Sequence, residues 1–416
     1  MSQFPKDQSP DSTISLLREG YTFTLKRFAG LESDVFETRL MLRKVICTRG
    51  EEAARMFYHP DRFTRKKAMP PTALLLLQDK GSVQQLSGAA HRKRKEMFMS
   101  MMSPEQIRRL GEQVKHEWLT FLRKWEQMDR VVLHKEVQEI LCRGVCKWAG
   151  IVITEPEAAQ RTSEFAAMID GAGSVGPRNW RGLYRRSRTE DWAQNLIRRI
   201  RSGELEAEEG SPLNLISFHQ DSNGKVMDIK EAAVELLNVL RPTVAVARFI
   251  TFAALALHRH PECRGKLRAG EDNYLENFVQ EVRRYYPYFP LIGGRVREEF
   301  NWREHFFKKG DWVILDLYGT NHDPRIWEKP EEFRPERFAA WQENAYNFIP
   351  QGAGDFHNDH RCPGEWITIE LMKTAVKMLT QSMEYSVPEQ NLEFSLHRMP
   401  AIPESRFIIN HVKQLP

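Results

Sequence analysis

A mainly α fold with small peripheral β-sheets is what this sequence predicts. Three observations carry that expectation. Helical periodicity fills most of the chain, strand-like pieces are few and short, and no repeat or low-complexity linker divides the 416 residues. Residues 1–416 therefore read as a single large domain.

Taken in order, residues 1–20 have no clear pattern and read as loose. Tyr21 to Cys47 alternates in the manner of strands. Residues 50–58, GEEAARMFY, form a short helix before the turn HPDRF, and the basic run HRKRK at 91–95 lies inside another helix. Ser103 precedes PEQIRRLGEQVKHEWLTFLRKWEQM and is placed as its N-cap. Pro104 then takes the first helical position, where its missing N–H costs nothing, and Gln106 at the third completes a capping box. Further helices are expected over 131–150 and 155–169, then a break at GAGSVGPRN (171–179). A long helix starts near Asp228 and runs past Leu257; others cover 271–285 and 364–383. GRVREEF, DWVILDLY, LEFSLHRM and RFIINHV read as strands, while NHDPRIWEKPEEFRPERF is too rich in Pro and charge for core structure.

Composition narrows the function. Lys plus Arg total 61 against 56 Asp plus Glu, a net charge of +5 that is slight for this length and excludes nucleic acid as the expected partner. Five scattered cysteines do not make a disulfide framework. The most apolar run, Thr243 to Leu257, is too short for a standard span and holds Arg248, so it reads as a buried helix with no stable membrane insertion. The N-terminus has no signal-type apolar segment, so a soluble, cytoplasmic protein is expected.

One cysteine stands out. Cys362 closes the glycine- and histidine-rich stretch FIPQGAGDFHNDHRCPGE and suits a metal ligand, a nucleophile or a buried thiol. Glu281 and Arg284 lie three apart on one helix face and can pair. Arg337 follows in the PERF segment, and Cys362 after it. A zinc reading through His357, His360 and Cys362 lacks a fourth ligand and leaves Glu281, Arg284 and Arg337 unexplained. In this order and spacing the three signals resemble the cytochrome P450 superfamily, which implies a triangular helical prism carrying haem b. The resemblance makes Cys362 the axial thiolate ligand of the iron, and Glu281, Arg284 and Arg337 a buried network bracing its loop. It assigns His91 and Lys95, four apart on one helix, to a haem propionate, and adds Gln351 to the cofactor-binding loop. Arg295 or Arg297 is expected at the other propionate.

Most oxygen-using members of that superfamily carry an acid–alcohol pair on the distal helix. Here the matching stretch is VLRPTVAV, with Arg241 in place of the acid and Pro242 after it. Together with Gln351-Gly352, HRCPGE at 360–365, LYGTNHDP at 317–324, VGPR at 175–178 and FRPERF at 333–338, this resembles the fatty-acid peroxygenase branch. That implies a long-chain fatty acid as substrate, H2O2 as oxidant, no reductase, and hydroxylation at the α and/or β carbon. Arg241 then holds the substrate carboxylate, which serves as general acid–base. In the branch, histidine at a distal position goes with decarboxylation to terminal alkenes and glutamine with hydroxylation. Gln84 aligns there, although a slip of one residue would substitute Gln85. Residues 72–77, Phe289 and Leu291 are expected around the substrate tail. The alternatives are an alkene-forming decarboxylase and a non-catalytic haem protein that senses lipid.

Overall fold

The distal helix, Ile229–Ala245, fixes the centre of the molecule because Ala232 through Arg241 are all buried. A helix apolar on every side has no solvent face and must sit inside. The structure, a computed structural model describing residues 4–79, 81–271 and 273–415, continues it after one turn residue as Ala247–Arg259. Pro242 lies inside the helix and has no N–H for the Asn238 carbonyl, yet the interruption comes four residues later, where the Val246 N–H closes a tighter bond to the Thr243 oxygen at 3.2 Å. The ladder resumes with Ile250 N–H on the Val246 oxygen at 3.0 Å. The combined stretch Ile229–Arg259 is long and apolar enough to cross a membrane, yet 94% of its most apolar window is buried within the protein.

Helices Leu133–Trp148, Glu155–Gly171 and Pro177–Ser202 pack against this centre, and Pro104–Trp125 packs on Leu133–Trp148. Pro177–Ser202 was not expected. Its buried positions (Asn179, Gly182, Arg186, Thr189, Ala193, Leu196, Ile197 and Ile200) keep helical spacing. Five of the eight carry no large apolar side chain, so the period is invisible to a hydrophobicity reading, and the break at 171–179 shrinks to 172–176. Ser103 caps its helix as expected, accepting from Gln106 N–H at 3.2 Å. Gln106 does not return the bond, because its side-chain oxygen accepts from Trp148 Nε1 at 3.1 Å. The complete capping box lies at Thr154 and Glu157 instead.

The main sheet runs in the order Val35–Leu40, Arg43–Thr48, Trp312–Asp316, Leu291–Val296, Phe63–Thr64. Its second and third strands are parallel, with Ile46 opposite Val313, and the other pairs are antiparallel. Val131–Val132, Ile408–Gln414 and Met383–Ser386 form a second sheet. Three expectations at the chain ends need correction. Residues 1–20 contain a helix, Thr13–Glu19, and Thr22–Gly30 is helical rather than extended. Threonines and aromatics give that segment a strand-like composition, while burial of Phe23, Thr24 and Phe28 follows a helix face. LEFSLHRM forms no strand: Phe394 instead packs edge-on against Phe252 and Tyr286.

Candidate haem and substrate site

The loop before Cys362 turns on two glycines. Gly352 has φ of 99° and Gly354 of 84°, and a Cβ would fall 2.7 Å from Tyr58 Oη or 2.3 Å from Asp359 Oδ2 respectively. Both positions need glycine for conformation and for space. Cys362 N–H then donates to the Gln351 carbonyl at 3.2 Å. The Gln351 side chain holds the loop to its neighbours: Nε2 donates to Thr368 Oγ1 at 3.1 Å and lies 3.8 Å from Cys362 Sγ. Its Oε1 accepts from Arg283 at 3.1 Å. The following helix begins at Glu365, within one residue of the expected start at 364, with Gly364 as N-cap. Glu365 is buried and held by Arg283 and, at 2.8 Å, by Arg361 Nε. Burial pushes the Cys362 thiol up, and Glu365 adds to this. The Gly364 N–H, Lys95 and the Gln351 amide oppose it. Arg283 and Glu365, two residues that sequence reasoning passed over, sit beside both motifs.

Glu281, Arg284 and Arg337 do converge. Arg284 grips Glu281 with bonds of 2.7 and 2.8 Å, both side chains fully buried, and Arg337 Nε adds a third at 3.2 Å. The bracing is traceable bond by bond. Arg284 donates to the Asn321 carbonyl at 3.1 Å, and Asn321 Oδ1 accepts from Ile349 N–H at 2.9 Å, where the cysteine loop begins. The zinc reading fails on geometry: His360 stacks on His91 at 3.9 Å between ring centres, and His357 points to solvent.

The helix Gly88–Ser100 delivers His91 and Lys95 to the cysteine loop. Lys95 donates to the Asp359 carbonyl at 2.9 Å and to that of Arg361. Burial pushes His91 down to about 4, with Lys95 and Arg65 contributing. Arg92 and Lys93 are exposed, whereas Arg94 is buried against Glu235. Arg295 lies over Trp312 and donates to the Lys67 carbonyl at 3.2 Å, while Arg297 pairs with Asp61 at the surface. The cation that does face His91 and His360 is Arg65, whose charge lowers both. It is 6% exposed, lies 4.1 Å from the Phe57 ring, donates to the Gly293 carbonyl at 3.1 Å, and has no ion pair among the described residues. Nothing in the stretch TRKK distinguishes it.

On the distal side Arg241 is 4% exposed and donates to the carbonyls of Leu76 and Leu77 at 3.0 and 2.5 Å and to Asn238 Oδ1 at 3.3 Å. Among the described residues no carboxylate pairs with it. Burial, then Arg186, pushes its guanidinium down. Gln84 and not Gln85 faces this group: Gln84 Oε1 accepts from Asn238 at 3.4 Å, whereas Gln85 bonds Gln78 at 2.9 Å. Of the expected tail residues, Leu76 packs onto Gly171 and Gly182, and Phe289 and Leu291 join apolar clusters of the sheet region. Tyr288 was missed. Its ring stacks on Phe249 at 4.1 Å. Burial raises its hydroxyl pKa and Cys362 raises it further, while Arg248, then Arg241, pull it down.

A cytochrome P450 family model matches residues 271–411. Over the full length, cytochrome P450SP alpha (CYP152B1) in complex with (R)-ibuprophen superposes with a TM-score of 0.95 at 43% identity, covering 97% of this chain and 99% of that one. The chain belongs to the cytochrome P450 superfamily. Cytochrome P450EX alpha (CYP152N1) with myristic acid gives a TM-score of 0.97 at 39% identity, with 100% of both chains covered. Those relatives place this P450 in the fatty-acid peroxygenase branch. A curated plant relative, rhazimal synthase of Alstonia scholaris, is 31% identical over 204 residues, and the chain spans 40% of that protein's length. As a P450 the chain is a haem enzyme, and the mainly helical expectation holds.

Proposed function

We propose that this P450 uses H2O2 to hydroxylate long-chain fatty acids at the α and/or β carbon, with the substrate carboxylate held by Arg241. The observation that carries the reading is Arg241 itself, a buried guanidinium surrounded by neutral oxygens. Such a charge calls for an anion. The myristic acid bound to P450EX alpha carries one of the right kind.

The donor set fits haem b. Cys362 offers the sulfur, and His91, Lys95 and Arg65 are three buried donors without carboxylate partners among the described residues, suited to two propionates. When bound, the haem supplies an iron that takes an oxygen atom from peroxide and passes it to a C–H bond. Gln351 and the Gly364 N–H would face its sulfur ligand. Arg241 would exchange bonds to Leu76 and Leu77 for a two-pronged, charge-assisted pair with the carboxylate. The distal helix offers no free acid of its own, since Glu235 is already paired with Arg94. The substrate carboxylate fills that role: it takes a proton from the near oxygen of H2O2 and returns it to the far oxygen, which leaves as water. The balance, R–H plus H2O2 giving R–OH plus H2O, needs no electron donor. Holding the head group leaves only Cα and Cβ beside the reacting oxygen. Gln84, a neutral amide, can hydrogen-bond but cannot supply a proton as an imidazolium would, which favours hydroxy acid over alkene.

The test mixes haem-loaded protein with myristic acid and H2O2, without reductase or NAD(P)H. The expected products are 2- and 3-hydroxymyristate, with Arg241→Ala losing at least about tenfold in turnover as a charge-assisted pair is removed. Dominant terminal alkene would reverse the role given to Gln84. No peroxide-dependent product from intact holoenzyme would sink the reading.

A further inference from the structure

The mechanism uses Arg241 and Gln84 but leaves unexplained what holds them. Arg94, Glu235 and Asn238 lie beside them, and all three are more than nine-tenths buried. Glu235 accepts three bonds: from Arg94 Nη1 at 2.7 Å, from Val83 N–H at 2.7 Å and from Asn238 Nδ2 at 2.9 Å. A carboxylate receiving three N–H groups is an acceptor on both oxygens.

We infer that Asn238, oriented by the Arg94–Glu235 pair, is the positioning residue that sets the direction of both Arg241 and Gln84. The argument is one of donors and acceptors. Glu235 can only accept, so Asn238 must turn its NH2 toward it, whichever way the amide is first drawn. The same NH2 reaches Gln84 Oε1 at 3.4 Å. That contact makes the Gln84 oxygen the acceptor and leaves the Gln84 NH2 for the distal space. The other end of Asn238, its Oδ1, is then fixed toward Arg241 Nη2 at 3.3 Å. Glu235, Asn238 and Arg241 follow one another at three-residue steps along the distal helix, so one short relay aligns the carboxylate clamp with the amide opposite it. Val83 N–H on Glu235 ties the short helix Val83–Gln85 to the same carboxylate. Arg94 stands between His91 and Lys95 on its helix, so the element that faces the haem cradle also anchors the substrate clamp.

This inference rests on the fatty-acid reading above and is tested so that the two can fail separately. Asn238→Leu is close in size and leaves the Arg94–Glu235 pair intact. In holoenzyme of unchanged thermal midpoint and reduced-CO spectrum, it should weaken myristate binding, read by spectral titration, about tenfold or more, the loss expected for one bond to a charged group. Preference for myristic acid over its methyl ester should shrink equally, and the ratio of 2-hydroxy acid, 3-hydroxy acid and alkene should change. A role confined to packing would move neither ratio. Should Asn238→Leu fail to take up haem, Asn238→Ser, which keeps a polar group but not the two-ended amide, should give the same shifts. Acid-over-ester preference and product ratio both within twofold of wild type, while Arg241→Ala loses myristate binding, overturn the role of Asn238 alone. Unchanged myristate affinity in Arg241→Ala overturns the fatty-acid reading and this inference together.

Discussion

At Glu281 one carboxylate receives four N–H groups, two from Arg284, one from Arg337 and the backbone N–H of Arg334. No solvent reaches either partner of the Glu281–Arg284 pair. Glu281→Gln would therefore strand a buried guanidinium, at about 3–5 kcal/mol. The exposed pair of Arg109 and Glu208 is the contrast, for water screens a surface pair and leaves it little to contribute. The expected outcome is a Glu281→Gln protein with a lowered thermal midpoint and less haem absorbance per chain, and a Glu208→Gln protein like wild type. Equal behaviour of the two would show that the network does not brace the cysteine loop. Glu281, Arg284, Arg337 and Cys362 were legible in the sequence because each belongs to a spaced motif. Arg65, Asn238 and Tyr288 were not. Each has a partner from a distant segment, Gly293 for Arg65, Phe249 for Tyr288 and Gln84 for Asn238, and no local spacing announces such contacts.

Among the elements, the helix ends separate what sequence shows from what packing decides. Ser103 and Thr154 are both N-caps followed by Pro within the first turn. Only Thr154 completes the reciprocal bond, with Glu157 Oε2 accepting its N–H at 2.9 Å. Gln106, the corresponding residue of the other helix, is claimed by buried Trp148. Thr154→Ala removes both the cap bond and the Thr154 Oγ1–H bond to Glu157 Oε2 at 2.9 Å, so it should cost about 1 kcal/mol or more, and Ser103→Ala less, within the 0.5–2 kcal/mol range of N-caps. Denaturant midpoints of the two variants check the order; a larger loss at Ser103 would mean that the Thr154 hydroxyl bond to Glu157 adds nothing. The same competition governs the rest. The centre, Ile229–Arg259, was legible because its apolar residues outnumber any other signal, although its interruption at Val246 falls four residues after Pro242. Pro177–Ser202 was illegible because Asn179, Arg186 and Thr189 occupy inward positions that only neighbouring helices make tolerable.

Across the whole molecule, burial creates a pH dependence that composition does not reveal. His134 is buried with Nδ1 at 2.9 Å from Thr251 Oγ1, and burial, then Arg248, pushes it down to about 3. Its unfolded value is about 6.5. The folded state thus binds fewer protons over that interval, so the contribution is complete above pH 6.5 and is lost as pH falls toward 3. Asp316 has the opposite sign. Burial pushes it up to about 6 against bonds from Gly319 N–H and Thr24, so the folded state binds more protons between 3.8 and 6. That contribution is present below 3.8 and is lost as pH rises to 6. Many other buried groups titrate too, and comparing each variant with wild type cancels them. Between pH 6.5 and 5, His134→Gln should gain on wild type by about 1.4 kcal/mol per pH unit, roughly 2 kcal/mol in all. Asp316→Asn should gain on wild type in the reverse direction, as pH rises from 4 to 6. Denaturant unfolding at pH 5.0, 5.75 and 6.5 reads the first slope and at pH 4 and 6 the second. A His134→Gln curve parallel to wild type would mean that His134 binds its proton alike in the folded and unfolded states, and that burial does not hold it neutral.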